Sequence, residues 1–330
     1  MKNIFLNGNK NTVDRVYTAE LQRELIGEEI KVFTKNDVLD SKENFADTEF
    51  IFSTWGMPWF SEEEIKNCFP NLKAVFYAAG TVQHFARPFL NCGVKVFSAW
   101  AANAVPVAEY TVAQIILANK GYYRTSMISS KEEYKNAKSI FENYIGNYGA
   151  KIGIIGAGMI GKLVIKLLKS YSLEVLVFDP FLSDREAEAL GVKKCSLSQI
   201  FAECNVISNH LANNEQTKGM LNRKHFETMQ KNATFINTGR GAQVVEEELC
   251  KVLKERPDIV AILDVTEPEP PENDHPFYTL KNCILTPHIA GSSGNEVHRM
   301  AEYMREEFFK FTSGAECRFE VDLKMLETMA

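Results

Sequence analysis

None of the seven cysteines in this 330-residue chain sits in a Cys-x-x-Cys pair, and their intervals are irregular. That excludes a disulfide scaffold and a zinc-finger arrangement, and no metal site is expected. Cys68, Cys92, Cys195, Cys204, Cys250 and Cys283 fall mostly in or beside apolar runs, as reduced, packed thiols do. No unbroken apolar stretch approaches the roughly 18 residues of a membrane span, so no membrane is expected as a partner. The opening residues, Met1 to Gly8, form a strand-length apolar run followed by polar residues rather than a secretory signal. No run of basic residues stands out and the net charge is −6, which gives no general attraction for nucleic acid. Internal repeats and low-complexity segments are missing too. The expected compartment is therefore the cytoplasm.

What is present is ordinary globular composition, 45% apolar and 24% charged, at a length that accommodates two domains. Short apolar runs alternate with helical patterns, the signature of parallel α/β units. Expected strands before residue 150 are Ile4–Leu6, Phe50–Ser53, Ala74–Tyr77 and Val94–Ser98. Helical patterns cover Thr18–Ile26 and Ser61–Cys68, the latter opened by Ser61 and Glu64 as a capping box. A longer helix is expected from Val107 to about Lys120, introduced by Asn103-Ala104-Val105-Pro106. A second α/β series begins at Lys151, with strands Ile152–Ile155, Glu174–Phe178, Val206–Asn209, Thr234–Asn237, Val260–Asp264 and Cys283–Thr286. A helix from Asn295 to about Phe311 closes the pattern.

Between the first strand and first helix of the second series lies Gly156-x-Gly158-x-x-Gly161. By itself such a motif is weak; here a strand precedes it, a helix follows, and the next strand ends on Asp179. In a dinucleotide fold Gly156 permits the tight turn and Gly158 admits the pyrophosphate. Gly161 lets helix and strand approach, and the helix N-terminus faces the phosphates. An acidic Asp179 accepts ribose hydroxyls and repels a 2′-phosphate, which favours NAD over NADP.

Three further strand ends carry groups that can do chemistry, at the edge where parallel sheets bind ligands. Arg240, in "INTGRGAQVV", can clamp a carboxylate with two parallel hydrogen bonds. The small residues Thr238, Gly239 and Gly241 around it suggest close backbone approach to a ligand. Glu267 and Glu269 occupy the proline-stiffened loop "DVTEPEPP", which taken alone reads as a solvated connection. His288, in "LTPHIAG", is a candidate general acid/base once an arginine and a carboxylate stand at neighbouring strand ends.

With these residues in order, the chain resembles the D-isomer-specific 2-hydroxyacid dehydrogenases, the family of glyoxylate/hydroxypyruvate reductases and phosphoglycerate dehydrogenases. The resemblance runs continuously from about Asn103 to Gly291 through "NAVPVAEYTVAQIIL", "GAKIGIIGAGMIGK", "VFDP", "NHLANNEQTKGMLN", "ILDVTEPEPP" and "LTPHIAG". It implies an α/β fold in which a Rossmann dinucleotide-binding domain is inserted into a flavodoxin-like α/β substrate domain. The implied boundaries are 1–102 plus 295–330 for the substrate domain and 103–294 for the NAD-binding domain. Hinge helices would lie near 107–120 and 295–311. The resemblance places the catalytic roles on Arg240, Glu269 and His288, choosing Glu269 over Glu267. It places NAD against Gly156, Gly158, Met159, Ile160, Gly161, Asp179, His210, Leu211, Thr238, Gly239, Asp264, Ala290 and Gly291. The implied reaction is reversible hydride transfer between NADH and a small 2-oxo acid, giving a D-2-hydroxy acid. His288 would protonate the oxygen, Glu269 would keep His288 charged, and Arg240 would hold the carboxylate. A homodimer through the nucleotide domains is implied, with residues 121–149 as a contact segment.

The substrate loop departs from the family pattern. "YAAGTVQHF", residues 77–85, retains Gly80, but Val82 and Phe85 stand where acidic residues are common. The expected substrate contacts are the backbone N–H groups of Ala79, Gly80 and Thr81. In "STWGMPWF", Trp55, Met57 or Trp59 lines the pocket or packs a hinge; Trp55 is the expected contact. Two other readings use the same scaffold. One is a non-enzymatic NAD-sensing dimer of corepressor type. The other is a formate or phosphite dehydrogenase, which Glu269 disfavours because formate enzymes typically carry glutamine there.

Overall fold

The structure, a computed structural model, describes residues 2–327. The chain divides into two compact units, one made of Met1–Asn103 with Ser292–Ala330 and the other of Ala104–Gly291. In chain order the first contains β1 (Asn3–Leu6), α1 (Lys10–Val16), α2 (Ala19–Ile26), β2 (Val32–Phe33), α3 (Lys35–Asp40), β3 (Phe50–Ser53), α4 (Glu62–Cys68), β4 (Ala74–Tyr77), α5 (Ala86–Asn91) and β5 (Lys95–Ser98). Helix α6 (Trp100–Asn119) begins in the first unit and continues into the second. The second unit then runs α7 (Tyr122–Thr125), α8 (Lys131–Phe141), β6 (Lys151–Ile155), α9 (Met159–Leu168), β7 (Glu174–Phe178), α10 (Asp184–Leu190), β8 (Lys193–Lys194), α11 (Leu197–Glu203) and β9 (Val206–Asn209). It finishes with α12 (Arg223–Phe226), β10 (Thr234–Asn237), α13 (Glu246–Glu255), β11 (Val260–Leu263) and β12 (Cys283–Leu285). The chain returns to the first unit as α14 (Glu296–Ser313) and β13 (Glu320–Val321).

The first unit's sheet has the order β13-β5-β4-β3-β1-β2, parallel except for antiparallel β13. Its 2-1-3-4-5 core order is that of flavodoxin-like folds. Alternation along each strand sorts the two faces. Ile4, Leu6, Ile51, Val75 and Val96 line a core on one side that Phe45, Phe60, Phe69, Phe85 and Phe89 complete. Phe5, Phe50, Phe52, Phe76 and Phe97 build an aromatic one on the other, covered by Val297, Met300, Met304 and Phe308 of α14. The rings of Phe76 and Phe97 stack 4.8 Å apart, and Phe308 meets Phe50 edge-on at 5.2 Å. Each such ring contributes roughly 1.5–3 kcal/mol by burial.

The second unit's sheet is parallel throughout, in the order β12-β11-β10-β9-β6-β7-β8. This is the 3-2-1-4-5-6 order of the Rossmann fold with one strand added. Ile152, Ile154, Val177, Val206, Ile236 and Ile262 face one side with α9, while Ile155, Leu176, Ile207, Phe235 and Leu263 face the other. Because every strand points the same way, all the strand ends that carry chemistry gather at one edge of the sheet.

The helix expected from Val107 starts instead at Trp100 and carries Pro106 inside it. A proline there removes only one backbone donor, the bond its N–H would make to Ala102, and the surrounding packing holds the turn. By length and mean hydropathy (1.2) α6 is apolar enough to cross a membrane. It is 56% buried, however, and Ala108, Val112, Ile115 and Ala118 lie in the second unit's core, so it is a core helix.

Candidate active site

The glycine turn joins β6 to α9. Gly156 has φ +92°, a left-handed conformation that favours glycine, and a Cβ there would lie 2.7 Å from the His210 carbonyl oxygen. At Gly161 a Cβ would fall 2.0 Å from the Gly156 oxygen, so this glycine is required by close packing. Gly158 is different: a Cβ there meets nothing within 4 Å. It is the N-cap of α9 and offers no side chain to the helix, whose first N–H groups stay free for an anion. Met159 is exposed and Ile160 half-buried beside that opening. An open cradle over uncapped amides fits a dinucleotide pyrophosphate.

Asp179 closes the turn from the end of β7. Its Oδ2 accepts from Ala157 N at 2.6 Å, and its Oδ1 accepts from Phe181 N at 2.7 Å and Leu182 N at 3.0 Å. The carboxylate thus holds the glycine turn as well as facing its mouth, and one lone pair on Oδ2 remains for a ribose hydroxyl.

At the end of β9, His210 is buried. Its Nε2 lies 3.0 Å from Ser208 Oγ and its Nδ1 lies 3.4 Å from Thr238 Oγ1. Burial pushes its pKa down to about 3, so the ring is neutral and orients Thr238. Leu211 donates its N–H to Asn209 Oδ1.

Three buried amides missed by sequence reasoning fix the backbone of Arg240. Asn209 Nδ2 donates to Asn237 Oδ1 (3.0 Å) and Gln243 Oε1 (2.6 Å). Gln243 Oε1 also accepts from Arg240 N at 3.0 Å, and Asn237 Nδ2 donates to the Arg240 carbonyl at 3.2 Å. Their only sequence signal is Asn209 and Asn237 at consecutive strand ends; Gln243 lies in the turn that follows Arg240. The Arg240 guanidinium donates to the Gly239 carbonyl at 2.7 Å. Burial pushes its pKa down, opposed by the negative charge of Glu269.

The two glycines around Arg240 are tightly packed by protein atoms. A Cβ on Gly239 would lie 2.6 Å from Gln243 Oε1, and one on Gly241 would lie 2.0 Å from the backbone carbonyl carbon of Thr266. Close protein packing by itself requires glycine at both positions. Gly241 seats the arginine loop directly on the loop that carries Glu269.

Asp264, 2% exposed, accepts hydrogen bonds on both carboxylate oxygens. Its Oδ1 accepts from Thr286 Oγ1 (2.6 Å) and Ile289 N (2.8 Å), its Oδ2 from Ala290 N (2.9 Å), and its carbonyl from His288 N (3.0 Å). It grips both sides of His288, which sits at φ +54°, a conformation costly for a non-glycine residue. Held this way, His288 Nδ1 lies 2.8 Å from Glu269 Oε1, both side chains being nearly half exposed. Gly291 ends the second unit. Among the described residues no group of three or more His, Cys, Asp or Glu gathers as a metal site.

The sequence-based substrate residues lie in the first unit. Ala79 N already donates to Tyr77 O at 2.9 Å, which leaves Gly80 and Thr81 to supply amides. The single hydroxyl hydrogen of Ser98 Oγ is shared between the Ala79 and Gly80 carbonyls, at 3.0 and 2.5 Å. Val82 and Phe85 are core residues, so their apolar character is set by packing. Met57 is likewise buried in the core and lines no surface. Trp59 is half exposed, with Lys35 Nζ 5.3 Å from its ring centre. Trp55 is 37% exposed, and its carbonyl accepts from Asn7 Nδ2 at 3.0 Å.

Residues 112–290 match the family described as D-isomer specific 2-hydroxyacid dehydrogenase, NAD binding domain. A D-3-phosphoglycerate dehydrogenase of Archaeoglobus fulgidus is 30% identical over 235 residues, 71% of this chain and 44% of that protein. A glyoxylate reductase of Korarchaeum cryptofilum is 34% identical over 167 residues, 51% of this chain and 50% of that protein. The chain thus spans about half the length of these relatives. The fold is that of the apo D-mandelate dehydrogenase of Rhodotorula graminis, with a TM-score of 0.79 at 18% identity over 97% of both chains. With its matched segment covering more than half of its length, the chain belongs to the D-isomer specific 2-hydroxyacid dehydrogenase family, and its second unit is that family's NAD-binding domain.

Proposed function

We propose that the chain catalyses reversible hydride transfer between NADH and a small 2-oxo acid, forming a D-2-hydroxy acid. The observation that carries this reading is the 2.8 Å Glu269–His288 pair, with the charge of Glu269 also felt by half-buried Arg240. Bound NADH supplies the hydride that reduces the 2-oxo carbon. Arg240, a permanent cation with two parallel donors, holds the substrate carboxylate and draws electron density from the adjacent carbonyl. His288 gives its Nδ1 proton to the hydrogen bond with Glu269, which leaves Nε2–H to pass to the carbonyl oxygen as it becomes hydroxyl. In the oxidative direction Nε2 takes that proton back. Glu269 holds the ring in this orientation.

In the first unit we assign substrate binding to the Gly80 and Thr81 amides and to the exposed ring of Trp55, which makes this unit the substrate domain. We further assign residues 121–149 to a homodimer contact, on the strength of exposed Met127 (95%), Tyr134, Phe141, Ile145 and Tyr148. Sedimentation of the purified protein tests it, and a monomer at micromolar concentration rejects it. The free state of all seven cysteines supports a cytoplasmic location, which imaging of the tagged protein in its host tests.

The deciding experiment follows NADH oxidation with glyoxylate, hydroxypyruvate, pyruvate, 2-oxoisocaproate and phenylpyruvate. Wild type is compared with His288→Ala and Trp55→Ala. Turnover lost in His288→Ala supports the reaction, and altered preference in Trp55→Ala supports the pocket role. Absence of turnover on every acid despite NADH binding rejects the dehydrogenase reading.

A further inference from the structure

The loop that carries Glu269 is poor in handles. Of its residues 264–271, Pro268, Pro270 and Pro271 have no N–H, so few backbone donors remain to fix it. Among the described residues, one brace within it and two attachments from outside hold it besides Asp264 and the Glu269–His288 pair. Thr266 Oγ1 donates to the Pro268 carbonyl at 2.9 Å, Tyr278 Oη donates to the Pro271 carbonyl at 3.1 Å, and Glu246 Oε1 accepts from Glu267 N at 2.9 Å. The last is the one that reaches from a separate rigid element. Glu246 is the first residue of α13, which is anchored by buried Leu249, Cys250, Val252 and Leu253.

The placement of this carboxylate is costly. It is half-buried, and burial pushes its pKa up to about 7, with nearby Glu267 acting in the same direction and the Glu267 N–H acting against it. A group kept where its charge is disfavoured, facing one backbone N–H, is a strut. We propose that Glu246 is a positioning residue for the Glu269–His288 pair. By taking the Glu267 N–H it fixes the loop from which Glu269, two residues on, reaches His288 Nδ1. The strut also ties Glu269 to the arginine, because α13 follows directly from the loop of Arg240 and Gly241 is seated on Thr266.

The inference rests on the pair acting as acid and base, and its test separates the two. Glu246→Gln keeps an oxygen acceptor, whereas Glu246→Ala removes it. Expected are kcat/KM within about twofold of wild type for the Gln variant and a loss of about tenfold, mostly in kcat, for the Ala variant. NADH affinity should hold within about twofold in both, since the glycine turn is untouched, and the pH profile of kcat/KM should move in the Ala variant only. An Ala variant as active as wild type overturns the proposal, as does a Gln variant impaired as badly as Ala or a parallel loss of NADH binding. Should wild type reduce no 2-oxo acid, the reaction fails and the strut is judged by 15N-histidine spectra, with His288 assigned from His288→Ala. Its Nδ1 signal should shift in Glu246→Ala and not in Glu246→Gln. An unmoved signal in the Ala variant overturns the proposal.

Discussion

Replacing Gly241 with alanine puts a methyl group 2.0 Å from the Thr266 carbonyl carbon, 2.3 Å from its oxygen and 2.4 Å from Glu267 N. Ordinary van der Waals contact begins near 3.4 Å, so one loop must retreat by roughly 1.4 Å, and the obstacle is backbone that has no rotamer to change. Overpacking of this kind costs about 1–3 kcal/mol, which lowers Tm by a few degrees in a chain of this size. The kinetic cost is larger. A displacement of about 1 Å between Arg240 and Glu269 is worth on the order of a hundredfold in kcat/KM. Gly158→Ala is the matched control, because its Cβ enters open space. That variant should keep the wild-type Tm while NADH affinity falls at least about tenfold, as the methyl occupies the phosphate cradle. Thermal melts, NADH titration and steady-state rates on the same preparations separate the two effects. Wild-type activity and Tm in Gly241→Ala would refute the claim that the arginine and glutamate loops are packed as one body.

Two further outcomes follow from buried polar groups. His210 titrates near 3 in the folded protein against an ordinary value of 6.5, so between those pH values the unfolded chain binds a proton that the native state refuses. Stability therefore rises with pH across that window, by an amount on the order of 5 kcal/mol from this residue, and His210→Gln should flatten the slope of urea midpoint against pH. An unchanged slope would reject the buried neutral ring. Asp264→Asn exchanges one acceptor oxygen for a donor in a site that faces only donors: Thr286 Oγ1, Ile289 N and Ala290 N. The expected result is a loss of about 2–3 kcal/mol in chemical denaturation with kcat down more than tenfold, and a variant equal to wild type would contradict the anchoring of His288.

Much of this architecture was legible because it is written in local periodicity. Runs such as "FIFS" and "VLVF" read as strands on composition alone. The glycine turn was equally visible, since strand, turn and helix are contiguous. The strands that escaped notice, β2, β8 and β13, have two residues each and no pattern to detect. The start of α6 was misplaced because Asn-Ala-Val-Pro resembles a helix entrance; a proline costs one hydrogen bond, and tertiary packing covered it. Residue resemblance, not spacing, chose Glu269 over Glu267, and the structure puts the former on the imidazole. The amide network of Asn209, Asn237 and Gln243 was invisible for a different reason. Its members are separated by 28 and 34 residues, and only the parallel register of β9 and β10 brings them together. Gly239 and Gly241 were legible as small, but the protein atoms packed against them were not, because sequence shows the absence of a side chain and not what fills the space.

The interruption of the first unit by the second also orders events on the ribosome. Residues 104–291 are all synthesised before Glu296, so the inserted unit has its whole sheet available while the flanking one still waits for α14 and β13. Until then the phenylalanine face of β1, β3, β4 and β5 has no lid, because Met300, Met304 and Phe308 that cover it are made only after the inserted unit. A nascent chain paused before α14 exposes a sticky aromatic surface beside a finished neighbour, the circumstance in which chaperone capture or aggregation begins.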